Sequence, residues 1–195
     1  VNRIAQALRD FQRHMRSLDY DWALVGGLAV AVRSEPRTTR DVDVAVSVDG
    51  DTEAEQLARD LMGKGYLTHA ALEQTDAERL ATMRLMSPKE DVATIVDLLF
   101  ASSGIEREIV AEATREPVLP GLILPVARLG HLLALKALAG RPLDLADFGN
   151  LLLRANDDEV DRARFAIDLI RERGFDRGID LGQRFEELLA GTDLS

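Results

Sequence analysis

Ile4, Leu8, Phe11, Met15 and Leu18 recur at three- and four-residue spacing, which predicts a helix with one apolar face over 3–18. The period then shortens. Asp21-Trp22-Ala23-Leu24-Val25 reads as a buried strand ended by Gly26-Gly27, and a helix begins over 28–32. Beyond a polar turn containing Pro36, residues 42–48 read as a strand that alternates at first. Asp49-Gly50-Asp51 marks a turn, and 52–63 reads as a helix stopped by Gly63 and Gly65. Strands are expected over 66–70 and 81–86. The apolar run Val92–Phe100, with Asp91 before it and Ser102-Ser103-Gly104 after it, is the clearest strand. A helix over 105–113 leads into short strands and turns around Pro117, Pro120, Gly121 and Pro125. After Pro125 the character changes: 126–139, 143–154, 157–173 and 178–190 all read as helices, with breaks at Gly140-Arg141-Pro142, Asn156 and Gly174. The expected organisation is a mixed α and β core over 1–125 and a helical region over 126–195. The short connection between them implies that the helices pack on the sheet.

Composition narrows this. A chain of 195 residues suits one domain, or a core with a small appendage. No run of 18 apolar residues is present, so no membrane span is expected. The start, Val-Asn-Arg-Ile-Ala-Gln, lacks the apolar core of a secretory signal. Zero cysteines exclude disulfides, thiol catalysis and cysteine-based zinc sites. A cytoplasmic location is expected. The net charge of -10 weighs against broad binding to nucleic acid, DNA included, but leaves room for a local basic groove. Arginines cluster at Arg3, Arg9, Arg13 and Arg16, and again at Arg33, Arg37 and Arg40. For the first group a solvated helix face is the plain alternative.

The informative stretch is Gly26-Gly27 followed by Arg37-Thr38-Thr39-Arg40-Asp41-Val42-Asp43. Residues i and i+2 of a strand share a face, so Asp41 and Asp43 project together, roughly 7 Å apart at Cα. Such a pair suits divalent ions, which take oxygen ligands and in phosphoryl transfer clamp the attacking and leaving oxygens. Gly26-Gly27 offers a triphosphate a close backbone approach and amides at a helix start. The plain alternative is that both aspartates lie on the solvent face of an edge strand. Asp97 interrupts an apolar strand, where an unpaired carboxylate is costly. A metal or a basic partner explains it, and a buried salt bridge is the simpler form of the second. As a general base Asp97 would accept a proton from an attacking hydroxyl. Lys136 falls within an apolar helix, either snorkelling to solvent or directing its ammonium at nucleotide phosphates. Asp144 and Asp147 share a helix face just beyond, and capping is the bland role for Asp144. His14, His69 and His131 show no metal-ligand spacing, and Ser102-Ser103 reads as a turn.

These residues resemble the nucleotidyltransferase (polymerase-beta-like) superfamily: two small residues, a spacer, Asp-x-Asp, then a third carboxylate on a later strand, matched by Asp97. More narrowly, Arg37-x-Thr39-x-Asp41-x-Asp43 and the segment Leu135-Lys136-Ala137-Leu138-Ala139-Gly140-Arg141-Pro142-Leu143-Asp144-Leu145-Ala146-Asp147 look like the AbiEii/MenT toxins of toxin–antitoxin systems. The likeness spans roughly 20–155. It departs at Leu143, where the pattern carries a second basic residue. The resemblance implies an α/β (α+β) fold: a small mixed sheet flanked by helices, with a C-terminal helical bundle. It implies transfer of a nucleoside monophosphate from a nucleoside triphosphate, with Mg²⁺ or Mn²⁺, to the 3′ end of tRNA, which blocks translation. Asp41, Asp43 and Asp97 would then hold metal and, with Lys136, carry catalysis. Gly26, Gly27, Arg37, Thr39, Lys136 and Asp147 would bind the nucleotide. A cognate antitoxin is the implied partner, and phosphorylation of Thr39 the implied means of silencing, since it would set about two negative charges beside the carboxylates. Two other readings compete. One is an aminoglycoside-type small-molecule nucleotidyltransferase, which would need an acidic pocket. The other is an inactive fold serving as a binding module.

Overall fold

The computed structural model describes residues 3–36, 38–74, 79–88 and 94–192. Along them run α1 (Arg3–Leu18), β1 (Trp22–Val25), α2 (Gly26–Arg33), β2 (Val42–Val46), α3 (Asp51–Gly63), β3 (Leu67–Gln74), β4 (Arg79–Met86) and β5 (Ile95–Leu99). Then come α4 (Glu106–Ala111), β6 (Thr114–Leu119), β7 (Leu122–Val126), α5 (Leu129–Ala139), α6 (Pro142–Leu152), α7 (Asp157–Glu172) and α8 (Leu181–Thr192). The strands form one mixed sheet in the order β3-β4-β5-β2-β1-β7-β6. Strand β2 is parallel to β5 and β1 to β7, while the other pairs are antiparallel. The expected fold class, a mixed sheet with flanking helices and a helical C-terminal part, is the one observed.

Boundaries shift where backbone chemistry dictates. Helix α2 starts at Gly26 rather than at 28, because Gly26 adopts φ +60 and turns the chain from β1 into the helix without a linker. The segment around Pro117–Pro125 resolves into the β6–β7 hairpin, turned at Gly121 with φ +71. Pro117 is tolerated because β6 is an edge strand, where a missing amide breaks no interior ladder.

The apolar stripe of α1 is buried through Leu8, Phe11 and Met15, and Phe11 meets Trp22 edge to face at 5.1 Å between ring centroids. Helix α5 is apolar almost all round because α6, α7 and α8 all pack on it. Gly130 lets α7 approach closely, since a Cβ there would stand 2.3 Å from the Glu159 carbonyl oxygen. Asn156 caps α7, its side-chain oxygen accepting from the Glu159 amide. Pro142 starts α6, and Gly140 ends α5 in the left-handed conformation. Among the described residues no helix is long and apolar enough to cross a membrane.

Candidate active site

The register of β2 against β5 sets the site. Asp43 is paired with Asp97 across the two parallel strands, so both side chains leave the same face, and Asp41 joins them two residues before Asp43. On the other side Asp43 faces Val25, the last residue of β1, which places the Gly26-Gly27 turn against it. A Cβ on Gly26 would lie 2.0 Å from Asp43 Oδ2, so the missing side chain is the space the carboxylate occupies. The amide of Gly27 donates to that carboxylate. The sequence predicts that the glycine pair admits a triphosphate; in the structure it seats Asp43. Burial, reinforced by the charges of Asp97 and Asp41, pushes Asp43 up to about 6, while Lys136 and the Gly27 amide pull in the opposite direction. Asp41 and Asp43, the second held against ionisation, are a pair of oxygen donors of the kind that fits a hard divalent cation.

Asp97 has the basic partner that its place in an apolar strand called for. Arg84, opposite it on β4, donates from Nε to Oδ1 at 2.8 Å and from an Nη to Oδ2 at 2.7 Å. Both Asp97 oxygens are thereby engaged by Arg84. Among the described residues no three carboxylates or histidines converge as a preformed cation cage. The Arg84 side chain is 41% exposed and that of Asp97 9%, so the pair is half-wet. Replacing Arg84 with Met is expected to destabilise the fold by about 2 kcal/mol, less than for a fully buried pair. Adding Asp97→Asn to that variant should recover most of the loss, as read by thermal denaturation.

Lys136 does not snorkel. It is 7% exposed, and its ammonium reaches Asp144 and Asp147, each 1% exposed, at 2.8 Å. Arg141 closes on Asp144 from outside at 2.6 Å. Asp144 is therefore no cap: the N-cap position of α6 is Arg141, without a side-chain capping bond. Burial alone would raise the Asp144 pKa, but hydrogen bonds from Arg141 and Lys136 outweigh it and hold the carboxyl below its usual range.

All of this opens on a cavity of about 670 Å³. Gly26, Gly27, Thr39, Asp41, Asp43, Asp97 and Lys136 line it, whereas Asp147 stands behind Lys136 and is not among the lining residues. Thr39 is half-buried, its hydroxyl donating to the Asp41 carbonyl at 3.4 Å. Arg37 lies outside the described residues. Arg33, close to the motif in sequence, is turned away: it binds Glu116, Thr114 and the carbonyls of Val126 and Ala127. None of the three histidines lines the cavity. Sequence reading missed Arg84 and Arg177 as lining residues; nothing local to either marks it.

No family model matches the chain, and no curated protein does. Among solved structures, the antibiotic-resistance factor ANT(2'')-Ia is similar at 13% identity over 96% of this chain and 94% of that one, with a TM-score of 0.49. JHP933 from Helicobacter pylori is similar at 16% identity over 97% and 91%, with a TM-score of 0.44. The lincosamide antibiotic adenylyltransferase LnuA is similar at 12% identity over 85% and 95%, with a TM-score of 0.43.

Proposed function

We propose that this chain is a metal-dependent nucleotidyltransferase that moves a nucleoside monophosphate from a nucleoside triphosphate to the 3′ end of tRNA, acting as the toxin of a toxin–antitoxin pair. The observation that carries the transferase reading is the register that brings Asp41, Asp43 and Asp97 to one cavity from two neighbouring parallel strands. Asp41 and Asp43 would hold the divalent ions, which supply charge neutralisation around the triphosphate. The acceptor hydroxyl oxygen bonds to the α-phosphorus as the bond to the bridging oxygen breaks and pyrophosphate leaves. Asp97 takes the hydroxyl proton, which requires Arg84 to yield one carboxylate oxygen. Lys136 is the cation behind the site and already acts on Asp43.

The polyanionic acceptor is supported by the charges on the wall. Arg40, Arg84, Lys136, Arg141 and Arg177 line the cavity against Asp41, Asp43, Asp97 and Asp144, and Asp144 is already bound to Lys136 and Arg141. Among the described residues, the lining carboxylates left to a polycationic drug once Asp97 and Asp144 are counted with their bound cations are Asp41 and Asp43, which the proposed ions would occupy. The deciding assay incubates the protein with Mg²⁺ or Mn²⁺, each of the four α-labelled nucleotides in turn, and either total tRNA or an aminoglycoside panel. Label on RNA is the expected result; label on a drug and none on RNA sinks the tRNA reading.

Regulation through Thr39 belongs to the same reading, with a cognate antitoxin directing its phosphorylation. A phosphoryl group on a hydroxyl that touches the Asp41 backbone would set about two negative charges against the carboxylates. Thr39→Glu is expected to lower transfer about tenfold or more, and Thr39→Val to keep it. A Thr39→Glu protein with full activity would count decisively against this control.

A further inference from the structure

The loop between α7 and α8 holds an arginine in a conformation that its own chemistry resists. Arg177 has φ +58, the left-handed region that a residue with a Cβ rarely adopts. The loop around it is firmly seated. Phe175 is buried under Gly104, where a Cβ would stand 2.5 Å from its ring. Arg173 donates to the Gly104 carbonyl and both its Nη groups bind Glu108. Asp176 accepts from the Gly178 amide. From this base the exposed Arg177 reaches the cavity wall, making one long contact, 3.5 Å, to the Ser102 carbonyl. Among the described residues it has no carboxylate partner. Arg84 and Arg141 are each bound to one and Lys136 to two, while Arg40, likewise without a carboxylate partner among the described residues, lies at the Asp41 end of the cavity. A guanidinium held at a cost in backbone strain and left unpaired is poised for a ligand.

Its position says which ligand. Strand β5 runs parallel to β2, so Asp41 lies level with the start of β5, whereas Ser102 lies beyond its end. Thr39, Arg40 and Asp41 therefore lie toward one end of the cavity and Ser102, Ser103 and Arg177 toward the other, with Asp43 and Asp97 level with each other between them. On the nucleotidyltransferase reading, a triphosphate held through Asp41 and Asp43 would take the first end, which leaves the second for the acceptor.

We propose that Arg177 is the acceptor-recognition residue, binding a backbone phosphate of the RNA strand whose terminal hydroxyl reaches Asp97. This rests on the nucleotidyltransferase reading with an RNA acceptor. The test uses the full chain, α-labelled nucleotide and total tRNA, with KM measured separately for nucleotide and tRNA. Arg177→Ala is expected to raise the KM for tRNA about tenfold, leave that for nucleotide unchanged, and make the salt dependence of kcat/KM shallower by about one unit of log–log slope. Arg177→Gly, which relieves the strained φ, should show the same tRNA defect with an unchanged or raised Tm, which a structural role for the side chain would not allow. Arg177→Lys should recover part of the affinity. A defect in the nucleotide KM instead, or none in either, overturns the proposal. If the parent protein labels no RNA, the functional reading itself fails along with it, and that outcome appears before any variant is compared.

Discussion

Asp43→Asn is expected to abolish transfer, by at least about 10²-fold, while making the cation-free protein more stable at neutral pH. Both effects come from one cause. Asp43 is pushed up to about 6 from an ordinary value of 3.8, first by burial and then by Asp97 and Asp41. Between those two values the folded chain holds a proton that the unfolded chain has released, so stability falls as pH rises from about 4 to about 6 and stays low above. A gap of this size corresponds to about 3 kcal/mol. Asparagine does not titrate and carries no charge to repel, so the variant should lack this component of the pH dependence. Urea denaturation in EDTA, repeated from pH 4 to 8, measures it: the parent should lose stability across that interval and the variant should lose distinctly less. Parallel curves for the two proteins would show that Asp43 is not the strained carboxylate. With Mg²⁺ added at pH 7, the parent should regain stability through binding to the folded state, and the variant should gain much less. The activity loss and the stability gain together separate a charge kept for function from one kept for folding.

How far the site could be read from the chain depends on the range of each contact. Asp41 and Asp43 were legible because strand geometry alone sets i and i+2 on one face. Asp97 is legible as a problem, a carboxylate in an apolar strand, and a basic partner as one solution, but which residue supplies it is not. Arg84 lies 13 residues earlier across the β4–β5 pairing, and only the register says that it is Arg84 that faces Asp97. Gly26-Gly27 reads from the sequence as a turn that lets a triphosphate approach, yet what fills the space at Gly26 is the side chain of Asp43, a contact that depends on β1 pairing with β2. Proximity in sequence misled at Arg33, which sits seven residues before Arg40 but is bound on β6 and the end of β7. The order of strands was not readable at all, since the parallel β2–β5 and β1–β7 neighbours are joined by long excursions through other elements. Helices α5 to α8 were readable because helical periodicity and the breaks at Gly140, Asn156 and Gly174 are local. What one of their loops contributes to the cavity, Arg177, rests on docking against a turn 75 residues away.

Lys136→Met is expected to cost the fold about 3–5 kcal/mol, because it strips the shared ammonium from two carboxylates that are each 1% exposed. For a chain of this length that corresponds to a fall in Tm of about 10–15 °C, which a stability of roughly 5–15 kcal/mol barely survives. Arg141 would remain on Asp144, but its own side chain is largely in solvent and cannot replace a buried cation. Loss of activity in this variant would therefore say nothing about chemistry. The informative protein is Lys136→Met combined with Asp144→Asn and Asp147→Asn, in which the buried charges disappear together. Exchanging a buried ionic cluster for neutral groups of similar shape removes the desolvation cost along with the attraction, so this variant should regain most of the lost Tm. If Lys136 serves the nucleotide as well as the fold, the refolded triple variant stays inactive, with its defect in kcat and not in thermal stability. Transfer at the parent rate in a stable triple variant would assign Lys136, Asp144 and Asp147 to the architecture of α5 and α6 alone. The catalytic charge at the cavity would then rest on Asp41 and Asp43, with the ions proposed for them, and on Asp97 as base. The position of the ammonium favours the first outcome: it lines the cavity, and its charge is already felt by Asp43.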